Sequence, residues 1–228
     1  MNLGKLSSAI LLSYLFTFSA QASTDVGSPN GKYSVDITSE SGIPYLLISA
    51  KNLKGELPIN KIRLGLNYEN RPSNEWKVTA ASSIAKQKDD YQMISGKRSH
   101  CTNEANVRTW SLSSKDNKIN VEVRAYNDGL AFRYLDNDTT RKVLSENTAF
   151  LIPDGITRWQ QPYDAFGYED FYEKCTDGNA IKNRKTANQW GYPLLLKSDS
   201  GIYTLITESG IRRGDCASLL NNKEVLNE

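Results

Sequence analysis

Apolar and polar residues alternate along much of this chain with the period of two that is typical of half-buried β-strands. In the clearest stretch, residues 119–126, every second residue from Ile119 to Ala125 is apolar. Turn residues separate most of the alternating runs. Helical periodicity is nearly absent, so the pattern predicts an all-β fold, a sandwich of antiparallel sheets. The predicted strands are 33–37, 45–48, 62–66, 91–94, 107–112, 119–126, 130–134, 192–196 and 202–207.

Residues 119–134 predict a β-hairpin. Its turn is Asp128-Gly129, a pair that can adopt the positive φ angles of a type I′ turn. This turn places Arg124 opposite Arg133, where like charges repel each other. Either a carboxylate bridges the two arginines, or the loop is longer. On the other face the same register pairs apolar side chains, Val123 with Tyr134 and Ala125 with Phe132.

Residues 159–191 lack clear alternation and contain several glycines, which predicts a long loop. Loops of this length are usually functional or disordered, and the aromatic content argues against disorder. Aromatic rings can stack on the apolar face of a sugar, and carboxylates can accept hydrogen bonds from its hydroxyls. This loop therefore predicts a sugar site, with packing against a neighbouring domain as the alternative. The candidate sugar-binding residues are Tyr163, Asp164, Tyr168 and Glu169.

Glu208 ends the strand predicted at 202–207 and continues the face that begins at Ile202. A carboxylate that continues an apolar face needs a partner, because burying an unpaired charge is costly. Calcium is one such partner, since this hard cation binds carboxylate and carbonyl oxygens. Exposure to solvent, or an ion pair with Arg212 or Arg213, remains open from the residues alone.

The composition is that of one packed domain. Of the 228 residues, 39% are hydrophobic and 10% aromatic, which suits one large all-β domain. Charged residues make up 24% of the chain, the net charge is +2, and the basic residues form no long run. Neither nucleic acid nor an anionic membrane is therefore indicated as a partner.

The first 22 residues have the features of a secretory signal peptide. Lys5 precedes an apolar stretch at 9–18, and Ala20-Gln21-Ala22 supplies the small residues that a signal peptidase requires. About ten apolar residues are too few to span a hydrocarbon core of roughly 30 Å, so no membrane span is expected. We expect cleavage after Ala22, a mature domain at 23–228, and a periplasmic or secreted location.

The cysteines and the single histidine predict little chemistry. In an oxidising compartment one pair of the three cysteines could form a disulfide, and three unpaired thiols are the alternative. They are Cys101, Cys175 and Cys216. His100 is the sole histidine, which excludes a zinc site of the usual ligand set, and we expect it in an exposed loop. No residue of the chain is assigned a catalytic role.

Four segments in order resemble the N-terminal domain of glycoside hydrolase family 97, bacterial enzymes of the α-glucosidase and α-galactosidase type. Residues 28–32, Ser-Pro-Asn-Gly-Lys, precede the strand at 33–37. The hairpin at 123–134 and the loop rich in Tyr, Asp and Glu follow. Residues 201–208 then resemble the strand that ends in a calcium-ligand glutamate in this family. The resemblance covers roughly residues 28–220.

The resemblance implies a large sandwich of the galactose mutarotase type, incomplete at its C-terminal end. It implies calcium as cofactor, with Glu208 as one ligand and the other ligands on a following catalytic (β/α)8 barrel. The barrel also carries the catalytic acids, so we expect this chain alone to be inactive. The implied substrate is an α-linked oligosaccharide or an α-galactoside. A stand-alone carbohydrate-binding module is the alternative function.

Overall fold

The computed structural model describes residues 25–69, 75–115, 117–163, 167, 171–176, 189–211 and 218–221. Within these residues the secondary structure consists of β-strands, and no helix is long or apolar enough to cross a bilayer. The strands are β1 Val26–Gly27, β2 Tyr33–Glu40, β3 Ile43–Ala50, β4 Lys61–Arg63, β5 Leu66–Tyr68, β6 Lys77–Ala81, β7 Ala85–Gln92, β8 His100–Ser114, β9 Asn117–Tyr126, β10 Leu130–Leu135, β11 Val143–Glu146, β12 Ala149–Phe150, β13 Thr157–Pro162, β14 Glu173–Cys175, β15 Gln189–Lys197, β16 Tyr203–Ile206 and β17 Leu220–Asn221.

These strands form three larger sheets and one small one, and their pairings are antiparallel. The first sheet has the order β1-β2-β3-β4-β12. The second has the order β10-β9-β8-β6, with β7 also paired to β8. The third, which we call the C-terminal sheet, has the order β14-β13-β15-β16, with β17 also paired to β15. The small sheet consists of β5 and β11. The predicted all-β antiparallel sandwich is confirmed.

One hydrophobic core joins the three larger sheets. Val35 and Leu46 come from the first sheet, Trp110 and Val121 from the second, and Leu196 from the third. All five side chains are fully buried. Burial of apolar surface on this scale is the main favourable contribution to folding, at roughly 25 cal/mol per Å².

The predicted hairpin exists, but its predicted turn and register are wrong. Val123 pairs with Phe132, and Ala125 pairs with Leu130. The loop residues are Asn127 and Asp128, and neither they nor the following glycine have a positive φ, so the turn is not type I′. The pairing has moved by two residues, which leaves the same apolar side chains facing the core.

Contacts with an earlier segment of the chain fix this loop. The Tyr33 hydroxyl donates hydrogen bonds to the carbonyl oxygens of Tyr126 and Gly129. The amide nitrogen of Asn30 donates to Asn127 Oδ1 at 2.8 Å. Tertiary contacts therefore select the turn, and the local preference of Asp-Gly for type I′ does not decide it.

Two strands lie inside the segment predicted as a long loop, so that prediction is wrong in part. Strand β13 covers its start, and β14 lies further along. The core-facing positions of β13 include Arg158 and Gln160, which are 8% and 4% exposed. Polar residues at inward positions conceal the apolar alternation by which a strand is predicted.

The strand predicted at 91–94 is also displaced, because β7 runs from Ala85 to Gln92. β7 pairs with the first half of β8 to form a two-stranded ribbon. Residues 100–104 of β8 pair only with β7 among the described strands. Both faces of this ribbon are largely exposed, so it lacks the one-sided burial that produces alternation. His100 lies on the ribbon, exposed as expected but in a strand instead of a loop.

Candidate functional site

Glu208 lies two residues beyond the end of β16. Ile206 is buried, Ile202, Thr204 and Glu208 are partly buried, and the residues between them are exposed. The predicted alternation is therefore confirmed, and the Glu208 carboxylate continues the core-facing side of the C-terminal sheet.

Ser218 is the hydrogen-bond partner of Glu208. Its backbone N–H donates to Glu208 Oε2 at 3.0 Å, and its hydroxyl donates to Oε1 at 3.0 Å. The two donors bind different oxygens, so the carboxylate is fixed in orientation. Each oxygen has a second lone pair that the serine does not use. Ser218 was not predicted, because it lies ten residues further along and carries no sequence signal.

Tyr192 of β15 extends this arrangement to a second strand. Its phenol forms a side-chain hydrogen bond with Ser218. Burial raises the pKa of Tyr192, the bond to Ser218 lowers it, and the negative charges of Glu208 and Glu146 raise it further. Tyr192 therefore remains protonated near neutral pH, and Glu146 is a second carboxylate near this cluster.

Glu146 belongs to a hydrogen-bonded group at the end of β11. It accepts a hydrogen bond from the Thr148 hydroxyl, whose oxygen lies 2.7 Å from the Tyr134 hydroxyl. The Tyr134 oxygen also accepts the backbone N–H of Gly65 at 2.9 Å. Burial raises the pKa of Tyr134, so this phenol also stays neutral.

The carboxylate oxygens of Glu208 are suitable as two of the ligands in a calcium site. Calcium takes six to eight oxygen ligands, and a carboxylate with unused lone pairs is a suitable one. Within the described residues no three His, Cys, Asp or Glu side chains are grouped to hold a metal.

The predicted sugar-binding loop lies mostly outside the described residues. Asp164, Tyr168 and Glu169 fall there, so no contact of theirs is described. Tyr163 is partly buried just after β13, where its backbone N–H donates to the Gln189 oxygen at 3.0 Å. The sugar site at these four residues stays a prediction.

The single histidine pairs with an aspartate on the neighbouring strand. His100 Nε2 lies 2.6 Å from Asp90 Oδ1 across the ribbon, with both side chains mostly exposed. Cys101 is not joined in a disulfide. Cys216 and residues 1–24, with the predicted signal peptide, lie outside the described residues.

Comparison of the sequence with known families gives one match that covers most of the chain. The profile described as Glycosyl-hydrolase 97 N-terminal matches residues 26–227. The chain belongs to this family. The glycoside hydrolase family 97 resemblance of the four segments is thereby confirmed, and comparison with curated proteins finds no match.

Solved structures from this family share the fold. Three of them are of a family 97 enzyme from Pseudoalteromonas sp. strain K8: a substituted variant in complex with panose, a second substituted variant, and the enzyme in complex with acarbose. Each is 23% identical to this chain, and the alignment covers 78% of this chain with a TM-score of 0.65. The family 97 domain described here spans 27% of the length of those enzymes.

Proposed function

We propose that this chain is the N-terminal sandwich of a calcium-dependent, exo-acting α-glycosidase, an α-glucosidase or α-galactosidase. In this role it packs on a catalytic (β/α)8 barrel and contributes Glu208 as a calcium ligand. The observation that carries the proposal is the Glu208 carboxylate, held by Ser218 through both oxygens, each of which has a second lone pair that the serine does not use. Family membership supports it, and so do the panose and acarbose bound in two structures of the Pseudoalteromonas enzyme.

The chain's own residues hold the carboxylate for the metal. Ser218 sets its orientation, and Tyr192 binds Ser218 from the neighbouring strand. Calcium, when bound, would supply positive charge that stabilises developing negative charge at the reacting centre. A ligand fixed before the metal arrives loses less conformational entropy on binding.

An apolar outer surface on the C-terminal sheet supports packing against another domain. Trp159, Leu195 and Leu205 lie side by side on β13, β15 and β16. Tyr203 stacks on Trp159 with ring centroids 6.4 Å apart. Tyr203 and Leu205 are 57% and 58% exposed, whereas the solvent face of an antiparallel sheet is usually polar.

The catalytic acids belong to the barrel in this proposal. Glycosidases place two carboxyl groups across the scissile bond, and their separation and protonation decide the reaction. The chain alone is therefore inactive. The predicted signal peptide would send the protein to the periplasm or outside the cell.

A chimera tests the proposal. Residues 25–228 replace the matching domain of the Pseudoalteromonas enzyme, and hydrolysis of p-nitrophenyl α-glucoside and α-galactoside is measured with and without a calcium chelator. The proposal expects hydrolysis that the chelator abolishes, and a Glu208→Gln chimera that needs about tenfold more calcium. The exposed Glu104→Gln serves as the matched control. Hydrolysis by a folded chimera that the chelator does not reduce would refute the proposal. An equal calcium requirement of the Glu208→Gln and Glu104→Gln chimeras would also refute it.

A further inference from the structure

The outer face of the hairpin formed by β9 and β10 carries an open cavity. It is shallow and open to solvent, with a volume of about 530 Å³. The cavity is lined by Lys118, Asn120, Leu135, Asn137, Asp138 and Arg141. The proposal for Glu208 assigns no role to any of these residues.

A buried arginine builds one side of this cavity. The Arg141 side chain is 5% exposed, and its guanidinium pairs with Asp136 and, at 3.1 Å, with Asp138 Oδ2. It also donates to the backbone oxygen of Lys118 at 2.9 Å. The Tyr68 ring lies against the guanidinium, 4.6 Å from its carbon, and the Tyr68 hydroxyl donates to Asp136 Oδ2 at 2.8 Å.

Backbone hydrogen bonds fix the loop that carries the two aspartates. The Asp138 N–H donates to Asp136 Oδ1 at 3.0 Å, and the Thr140 N–H donates to Asp138 Oδ1 at 3.0 Å. These are Asx turns, in which a side chain replaces a backbone acceptor. The site is therefore formed before any ligand arrives, which lowers the entropy cost of binding.

The charges around the cavity balance. Lys118 and Arg141 carry two positive charges, and Asp136 and Asp138 carry two negative charges. A strongly charged ligand gains little at such a site, because its attraction to one pair is offset by repulsion from the other. A neutral ligand with many hydroxyls faces no such penalty.

The remaining lining groups suit hydroxyls. Asn120 Oδ1 accepts a hydrogen bond from the Ser111 hydroxyl at 2.8 Å, which leaves the Asn120 amide nitrogen as a donor. Asn137 offers both a donor and an acceptor, and Leu135 offers an apolar surface for C–H groups. We propose that this cavity binds a neutral monosaccharide or disaccharide, a site on the sandwich that is separate in its residues from Glu208.

An NMR titration of the complete chain with maltose tests this proposal. We expect saturable shifts of the Asn120 and Asn137 side-chain amide signals, with a dissociation constant of about 1–10 mM. Asn137→Ala should weaken binding about tenfold, because it removes two hydrogen bonds to the sugar. Asn137 is exposed, so the variant should fold, and Asn103→Ala on the exposed ribbon is the matched control.

Each outcome of the titration decides the proposal. Absence of saturable shifts at about 100 mM maltose would overturn it. Binding that Asn137→Ala leaves unchanged would place the sugar elsewhere and would also overturn it. Tighter binding of glucose 6-phosphate than of maltose would contradict a neutral ligand. Glu208→Gln should not change maltose binding, so failure here is distinct from failure of the calcium proposal.

Discussion

Ser218 holds Glu208 through two hydrogen bonds of 3.0 Å, one to each carboxylate oxygen. The pair joins the end of β16 to the residues that enter β17, which pairs with β15. The contact therefore joins two segments that lie along the same edge of β15, and it holds the candidate calcium ligand in one orientation.

Glu208→Gln should lower the free energy of unfolding by about 1 kcal/mol, because one carboxylate oxygen becomes an amide nitrogen that cannot accept its bond from Ser218, and the remaining bond loses its charged acceptor. Ser218→Ala should cost less, about 0.5 kcal/mol, since the backbone N–H bond survives. Urea unfolding followed by tryptophan fluorescence measures both changes. Glu104→Gln on the exposed ribbon is the control. Equal stability of Glu208→Gln and the control would show that the contact is absent in solution.

Glu122 lies between two arginines, and its removal should destabilise the hairpin. Arg124 Nε lies 3.0 Å and Arg133 Nη2 3.1 Å from Glu122 Oε1. Glu122→Gln should cost about 1–2 kcal/mol, because charged hydrogen bonds are lost and two like charges remain close. Lys142→Gln breaks an exposed pair with Glu69 and should change stability by less than about 0.5 kcal/mol. Thermal melts of both variants give the comparison.

The same carboxylate gives the stability a pH dependence. Partial burial would raise the pKa of Glu122, but hydrogen bonds and positive charge from Arg124 and Arg133 outweigh it and lower the pKa below 4.5. Its contribution is therefore present above pH 4.5 and is lost as the pH falls through the lower folded pKa. Wild type and Glu122→Gln should converge in stability on acidification. A gap that stays constant from pH 7 to about pH 3 would contradict this.

Arg141→Met should lower the free energy of unfolding by about 3 kcal/mol, more than the other substitutions named here. It removes the guanidinium that pairs with Asp136 and Asp138, at a site where the arginine side chain is only 5% exposed. Denaturant unfolding measures the change. A cost below about 1 kcal/mol would show that the network is a weak surface pair.

Leu205→Lys should reduce self-association of the isolated chain. Leu205 and Tyr203 expose apolar area on the outer face of the C-terminal sheet, which favours contact between copies when no other domain covers it. We expect the wild type to dimerise or aggregate in sedimentation velocity experiments, and Leu205→Lys to sediment as a monomer. Thr207→Lys adds the same charge beside the patch and controls for net charge. A monomeric wild type would be inconsistent with this prediction.

The sequence predicts the fold where one face of a strand is buried and apolar. Strand β9 follows its predicted alternation along its whole length, with Val121 and Val123 fully buried. Strand β13 was missed because Arg158 and Gln160 occupy its core-facing positions. The turn after β9 was misplaced because the Tyr33 hydroxyl, from a distant segment, binds the carbonyl oxygens beside it.

The sequence also predicts only part of the candidate site. Alternation along β16 places Glu208 on the correct face, because that signal is local. Ser218 and Tyr192 could not be predicted, since they meet Glu208 through the return of the chain to β15. A carboxylate between the two hairpin arginines was one of two alternatives that the sequence left open. Glu122 is that carboxylate, although the observed register pairs Arg124 with Ala131 and not with Arg133.

Calorimetric titration of calcium into two proteins, the isolated chain and the barrel chimera, decides whether Glu208 is a calcium ligand. The account predicts that the isolated chain binds calcium weakly with or without Glu208→Gln, since one carboxylate supplies too few ligands. In the chimera, Glu208→Gln should weaken calcium binding at least about tenfold, while Glu104→Gln should not. Calcium affinity of the chimera that is unchanged by Glu208→Gln would contradict the account.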